Sequence, residues 1–314
     1  MAAARRCPHL DDTLDVPFPS VRAGGSNGPA WRSVARTEAA RLAGAFDAAI
    51  VPRPDDPWSG ELVSAASIPV RVGFDMPRTR PWLTDVLAVP RDQHVALDGF
   101  ELADALLDRL GVRARTERVL APSFVPVRED EEEAERVLTA VGADREGIVL
   151  HPGSGWPLKN WPVRKWRELV LELAASFGTR PLVAGTAAEA PLVRAVAAAT
   201  PAVDLGGRLS LGALAAVHRS ARLVVTTDSG ALHLAAAMHA PVVGLFGPGD
   251  PRLFAPLASP RRVRVVRVGL PCSPCGTLEH PPCGAVAAPE CMTGIAVDDV
   301  VRAAAELLAE TAQR

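Results

Sequence analysis

Lysine is nearly missing from this chain. Of its 34 basic residues only two, Lys159 and Lys165, are lysines. The arginine bias, with abundant Ala, Val and Pro, reflects high-GC coding rather than a functional arginine patch. Net charge is equally scant: 34 basic and 36 acidic side chains leave −2 at pH 7, so the overall balance calls for neither nucleic acid nor an anionic membrane. No apolar run approaches the roughly 20 residues needed to span a bilayer, and the start, Met1 to Pro8, lacks the apolar core of a signal peptide. With five cysteines and no export signal, the cytoplasm is the expected compartment. Two nucleotide fingerprints are absent as well. Neither G-x-x-x-x-G-K-[ST] nor G-x-G-x-x-G occurs, which argues against phosphate-loop hydrolases and the commonest dehydrogenases.

What is present is length for two domains, 314 residues against a typical domain of about 150. The second half is the more regular. Apolar runs at 148–150, 182–184, 203–205, 223–226 and 242–246 predict strands, and helical stripes at 162–177, 188–199, 211–220 and 231–239 separate them. This alternation predicts βαβ units with right-handed crossovers and a parallel sheet, an α/β fold whose ligands sit at the carboxyl ends of the strands. The first half predicts helices at 30–43, 61–66 and 97–110, the last closed by Gly111, and strands at 46–51 and 69–73. Residues 8–30 read as loop with at most a short strand at 14–16, and 74–96 as irregular, with Asp92 and His94 in a solvated loop. The acidic run at 129–133 opens a predicted helix at 130–141, where it favours the positive end of the helix dipole; it reads as a linker followed by a solvated face. The expected domains are therefore 1–127 and 128–296, with a final amphipathic helix in 297–314.

The chain is organised around 223–238, a buried strand that breaks into a small-residue helix. Asp228 and Ser229 are good N-cap residues and Gly230 permits close approach. The free N–H groups of such a helix start, with its dipole, suit a phosphate, and His233 lies one turn further in. Two readings stand side by side: a phosphate site, or simple capping with a surface histidine. The loop 151–162 adds Gly153 and Gly155 for backbone approach, the Ser154 hydroxyl, and Lys159 as a mobile cation for phosphate oxygens. Glu189, after the 182–184 strand, is placed either to accept ribose hydroxyls or to serve as a helix-start acid.

Ser154 to Lys159 followed by Asn160-Trp161-Pro162, then Asp228 to Ala236, then Leu245-Phe246-Gly247-Pro248-Gly249-Asp250-Pro251 resemble glycosyltransferase family 9, the ADP-heptose:lipopolysaccharide heptosyltransferases. The similarity covers roughly 147–310, with a weaker echo at 46–120 through 69–74 and His94. It implies a GT-B architecture, two Rossmann-like domains facing a cleft, and direct inverting transfer without a metal. By position, Ser154 and Lys159 would meet the donor diphosphate, Glu189 the ribose, and Asp228, Ser229, Gly230 and His233 the phosphates and sugar. The donor would be a nucleotide-sugar, ADP-linked by resemblance, and the acceptor a cell-surface glycan or glycolipid. Membrane contact would be peripheral at most, at the inner face. Family members open on a strand and a glycine turn ending in Gly-Asp, whose aspartate serves as base; none is found here, so the catalytic base is unassigned. The first domain is expected to be truncated, and transfer by the chain as written weak. Two other activities share the binding chemistry: a GT-B sugar-nucleotide epimerase and a silent nucleotide-sugar binder. Finally, Cys272-x2-Cys275-x7-Cys283-x7-Cys291 has one close pair; reduced thiols are the expectation and a structural zinc the alternative.

Overall fold

The computed structural model describes residues 4–16, 30–90, 92–113 and 123–312. The chain divides into two compact units, residues 14–119 and residues 1–13 with 120–314.

In the 14–119 unit, α1 (Ala30–Ala39), β1 (Ala48–Val51), α2 (Pro57–Ala65), β2 (Val70–Phe74), β3 (Asp85–Leu87) and α3 (Val95–Arg109) follow in order. The strands form a parallel sheet β1-β2-β3, with Ala48 opposite Val70 and Val72 opposite Asp85. Val70, Val72, Phe74 and Leu102 make one apolar cluster, and Trp31, Ala35, Trp58, Leu62 and Ile68 another. Helix α2 starts four residues before the predicted 61, because Asp56 caps it (its carboxylate accepts from Ser59 N at 3.2 Å and Ser59 Oγ at 2.6 Å) and Pro57 suits the first turn. Helix α1 ends at Ala39 rather than 43, and β3 lies in the stretch expected to be irregular. Residues 12–16 carry no strand. His94 caps α3, its Nδ1 accepting from Ala96 N at 3.1 Å.

The larger unit holds α4 (Arg128–Ala140), β4 (Ile148–His151), α5 (Val163–Phe177), β5 (Leu182–Gly185), α6 (Ala190–Ala197), β6 (Val203–Gly206), α7 (Leu211–Ser220), β7 (Leu223–Thr227), α8 (Gly230–Ala237), β8 (Val242–Leu245), α9 (Pro251–Phe254), β9 (Val263–Val266), α10 (Glu290–Thr293) and α11 (Val297–Ala312). All described strand pairs are parallel, in the order β6-β5-β4-β7-β8-β9. Every residue of β4, β7 and β8 is buried, which is why these strands read as unbroken apolar runs. Their side chains alternate between two cores. Ile148, Leu150, Val225 and Leu245 join α5 and α11, while Val149, Val224 and Val242 join α4, α7 and α8. Helix α11 lays Val300, Ala304 and Leu307 into the first of these.

Residues 4–13 and 123–127 lie with this unit, not with the 14–119 unit. Arg6 donates to both oxygens of Asp130 at 2.8 and 2.9 Å, and Val125 N donates to Arg6 O at 3.0 Å. The acidic run is thus more than a solvated face: Asp130 is buried, Glu131 pairs with Arg145 and Arg219, and Glu133 accepts from Ser210.

Candidate active site

The strand order places the site. β5 and β6 run out on one side of β4, and the chain then returns to lay β7 on the other. In an open α/β sheet, the crevice outside the carboxyl ends at such a reversal is where ligands bind. Here it is flanked by the loops that follow β4 and β7, two of the three strand-end loops, with the one that carries Glu189, whose residues point to chemistry. His151 and Thr226 stand opposite each other at its floor. The buried Thr227 hydroxyl donates to Gly153 O at 2.9 Å, fastening one loop to the other.

Lys159 ends a short 3-10 turn, Pro157–Lys159, and its ammonium lies 2.7 Å from Asp228 Oδ2. Both side chains are largely buried, 18% and 7% exposed. The contact is an ion pair without hydrogen-bond alignment, for Oδ2 has no hydrogen-bond partner among the described residues. Ser229, not Asp228, is the N-cap residue of α8, and its side chain makes no cap bond; its hydroxyl lies 3.3 Å from Thr226 Oγ1 instead. The simple capping reading is therefore corrected. Asp228 is paired with Lys159 instead, and the Ser229 side chain makes no cap bond to the first turn, which begins at exposed Gly230. This leaves the positive end of α8 open to an anion. His233 sits on the same helix, half-buried.

Ser154 turns into its own loop, its Oγ 2.6 Å from Trp156 O and 2.8 Å from Asn160 Oδ1. Glu189 takes the second of its two expected roles, that of a helix-start acid. Its Oε2 accepts from Thr186 N and Oγ1, each at 2.8 Å, in a capping box. Its other oxygen lies against Gly153, where a Cβ would fall 2.0 Å from Oε1, so glycine is required for the close approach. The loops after β4, β5 and β7 thus touch one another.

Two features escaped sequence reasoning. The loop after β8 presses on the ion pair, since a Cβ on Gly249 would lie 2.3 Å from Asp228 Oδ2. Next to it Asp250 caps α9 and holds Arg252 at 2.7 Å; that hydrogen-bonded guanidinium keeps its carboxyl below the usual range. The signal was the Gly-Pro-Gly-Asp sequence itself. Beneath the site, burial lowers the pKa of His151, against the opposing pull of Glu189. Wholly buried His218 is pushed to about 3, chiefly by burial and then by His151. Burial, and then the neighbouring thiols Cys275, Cys283 and Cys272 of the alternative zinc set, raise the Cys291 pKa. Cys272 and Cys283 are exposed while Cys291 is packed into the interior, and among the described residues no three His, Cys, Asp or Glu form a group suited to a metal.

Comparison with known proteins meets this geometry. In sequence, 130 residues are 35% identical to lipopolysaccharide heptosyltransferase 1 of Pseudomonas aeruginosa, covering 41% of this chain and 35% of that protein. Another 127-residue match, 31% identical, is to lipooligosaccharide heptosyltransferase 2 of Haemophilus influenzae, covering 38% and 36%. The chain thus matches about a third of the length of these curated relatives. In structure it resembles E. coli ADP-heptose lipopolysaccharide heptosyltransferase II, with a TM-score of 0.72 at 20% identity over 98% of this chain and 86% of that one. An E. coli heptosyltransferase solved with ADP gives a TM-score of 0.61 at 21% identity over 93% and 83%. These likenesses place both units in the α/β, parallel-sheet class of the GT-B heptosyltransferases. The profile of glycosyltransferase family 9 (heptosyltransferase) matches residues 38–281, most of the chain and both of its units, and the chain belongs to that family.

Proposed function

We propose that the protein transfers a heptose from an ADP-linked donor to a lipopolysaccharide-core-like glycan acceptor, with inversion and without a catalytic metal. The observation that carries this is the Lys159–Asp228 pair beside the uncapped start of α8 at the sheet's reversal point. A diphosphate placed there would meet the first-turn N–H groups of α8 and the Lys159 ammonium. Both are preorganised for charge that grows as the bond from the anomeric carbon to phosphate breaks, so they stabilise the leaving nucleotide more than the ground state. That is the service a divalent cation gives in other transferases. Glu189, with one carboxylate oxygen held by Thr186, is the candidate for the ribose hydroxyls.

The sugar and acceptor are drawn from the named relatives, lipopolysaccharide and lipooligosaccharide heptosyltransferases. Such an acceptor puts the reaction at the cytoplasmic face of the inner membrane, with peripheral contact; no described helix is long and apolar enough to cross a membrane. The test is incubation with ADP-heptose, with and without a lipopolysaccharide-core acceptor. Heptosylated acceptor and released ADP are expected. Epimerised donor without transfer, or binding alone, would overturn the proposal in favour of the two other activities.

A further inference from the structure

Between β9 and α11 the chain makes a strap that crosses the loops of the candidate site. At its start, Arg267 donates to Ser273 O at 2.7 Å and Ser273 N donates to Leu270 O at 2.9 Å, fixing the backbone around Ser273. The Ser273 side chain is buried and donates to Gly247 O at 2.6 Å. Three residues later, Gly276 N donates to Pro248 O at 3.0 Å. Two consecutive carbonyls of the β8 loop are therefore held by the strap. From its far end, Ala288 N reaches Pro157 O at 3.5 Å, in the turn that carries Lys159.

The β8 loop has no slack. A Cβ on Gly247 would lie 2.5 Å from Met292 Sδ and 3.1 Å from Cys291 Sγ, both at the strap's end. Two residues on, Gly249 abuts the Asp228 carboxylate. A shift of the Gly247 or Pro248 peptide is therefore passed to Asp228, and through it to the Lys159 ammonium 2.7 Å away. Interiors packed this closely transmit such displacements rather than absorb them.

We propose that Ser273 is a positioning residue for the diphosphate site: its buried hydrogen bond to Gly247 O, with the strap it anchors, sets the placement of Asp228 and Lys159. This rests on the donor-site reading above. In this role Ser273 acts through the β8 loop, by its bond to Gly247 O, rather than by contact with substrate.

The experiment measures ADP affinity by calorimetry and thermal stability for the full chain and three variants. Ser273→Ala is expected to weaken ADP binding about tenfold, the equivalent of one hydrogen bond, with folding retained. Ser273→Thr, which keeps the hydroxyl, is expected to restore affinity to within about threefold of the parent, a rescue that loss of bulk packing does not predict. Thr277→Ala, which alters an exposed side chain of the strap and keeps its backbone contacts, is expected to bind as the parent does. Ser273→Ala binding ADP like the parent overturns the proposal while leaving the donor site intact. A threonine variant as weak as the alanine one overturns it too, as a packing effect. A parent chain that binds no nucleoside diphosphate overturns the donor site and this inference together.

Discussion

Asp130 and Asp228 are closely matched. Each is a carboxylate in the larger unit with only 7% of its side chain exposed, each faces one basic residue, and each presses on a glycine that has no room for a Cβ. They differ in how well they are satisfied. Asp130 accepts two charge-assisted bonds from Arg6 and a third from Val127 N, and the Arg6 bond holds its pKa below the usual carboxylate range. Asp228 has one cation nearby, poorly aligned, and an oxygen with no hydrogen-bond partner among the described residues. A buried charge that is fully hydrogen-bonded serves the fold. One left short of donors costs stability, so Asp228 contributes less to the fold than Asp130 does.

The sharpest way to break this comparison is to remove each partner. Asp130→Ala leaves the Arg6 guanidinium without its fork of acceptors and the Val127 N–H at the start of α4 without its acceptor. A loss of about 3 kcal/mol in denaturant unfolding is expected, with ADP affinity of the folded fraction unchanged. Lys159→Ala leaves the buried Asp228 carboxylate without its cation and should also cost stability, but unlike Asp130→Ala it should weaken ADP binding by the folded protein, by about 1.5–3 kcal/mol, the scale of a charge-assisted bond. If calorimetry finds unchanged affinity for Lys159→Ala, or a large loss for Asp130→Ala, the functional and structural labels are misassigned.

A third effect is graded with pH. His218 stays neutral in the fold down to about pH 3, since burial opposes its charged form and neither ring nitrogen has a partner among the described residues. Unfolded, it takes up a proton near its ordinary 6.5. The unfolded state therefore binds more protons between these values. This contribution is fully present above about pH 6.5 and is lost by about 1.4 kcal/mol per unit as pH falls. Comparing unfolding of the parent and His218→Leu at pH 7 and pH 5 isolates it. The variant should show the shallower decline, and parallel curves would refute the assignment.

How much of this was legible in the sequence follows from the range of the interactions involved. The α/β alternation of the larger unit was, because β4, β7 and β8 are buried on both faces and so apolar throughout. Strand β9 was not. It is an edge strand with Arg264 in its midst and Arg261, Arg262 and Arg267 around it, and charge masks a short strand. Strand β3, three residues long and half-exposed, left no period to count. At the site, Lys159 stood out by rarity alone. The second lysine shows why rarity needed the structure: Lys165 donates to Ile295 O at 2.5 Å, bracing the approach to α11. Local chemistry nominated Asp228 as a cap; only the fold brings it to Lys159, a pairing no window of sequence contains. Glu189 could not be decided because one carboxylate oxygen performs the local capping task while the other lies against Gly153 on the neighbouring loop.

The smallest expected effect tests the finest distinction, that between Lys159 and Ser154 on the same loop. Sequence position offered both to the diphosphate. The structure turns the Ser154 hydroxyl inward, within hydrogen-bond reach of Trp156 O and Asn160 Oδ1. A hydroxyl has one proton, so it donates to one of these while its lone pairs take Trp156 N at 3.3 Å. Its work is to hold the turn that presents Lys159. Ser154→Ala should therefore cost about 1 kcal/mol of stability, a typical net hydrogen bond, and shift ADP affinity by less than about threefold (~0.6 kcal/mol). Should calorimetry show Ser154→Ala losing as much affinity as Lys159→Ala, the hydroxyl would be a ligand of the phosphate rather than of its own loop, and the loop would have to turn on binding.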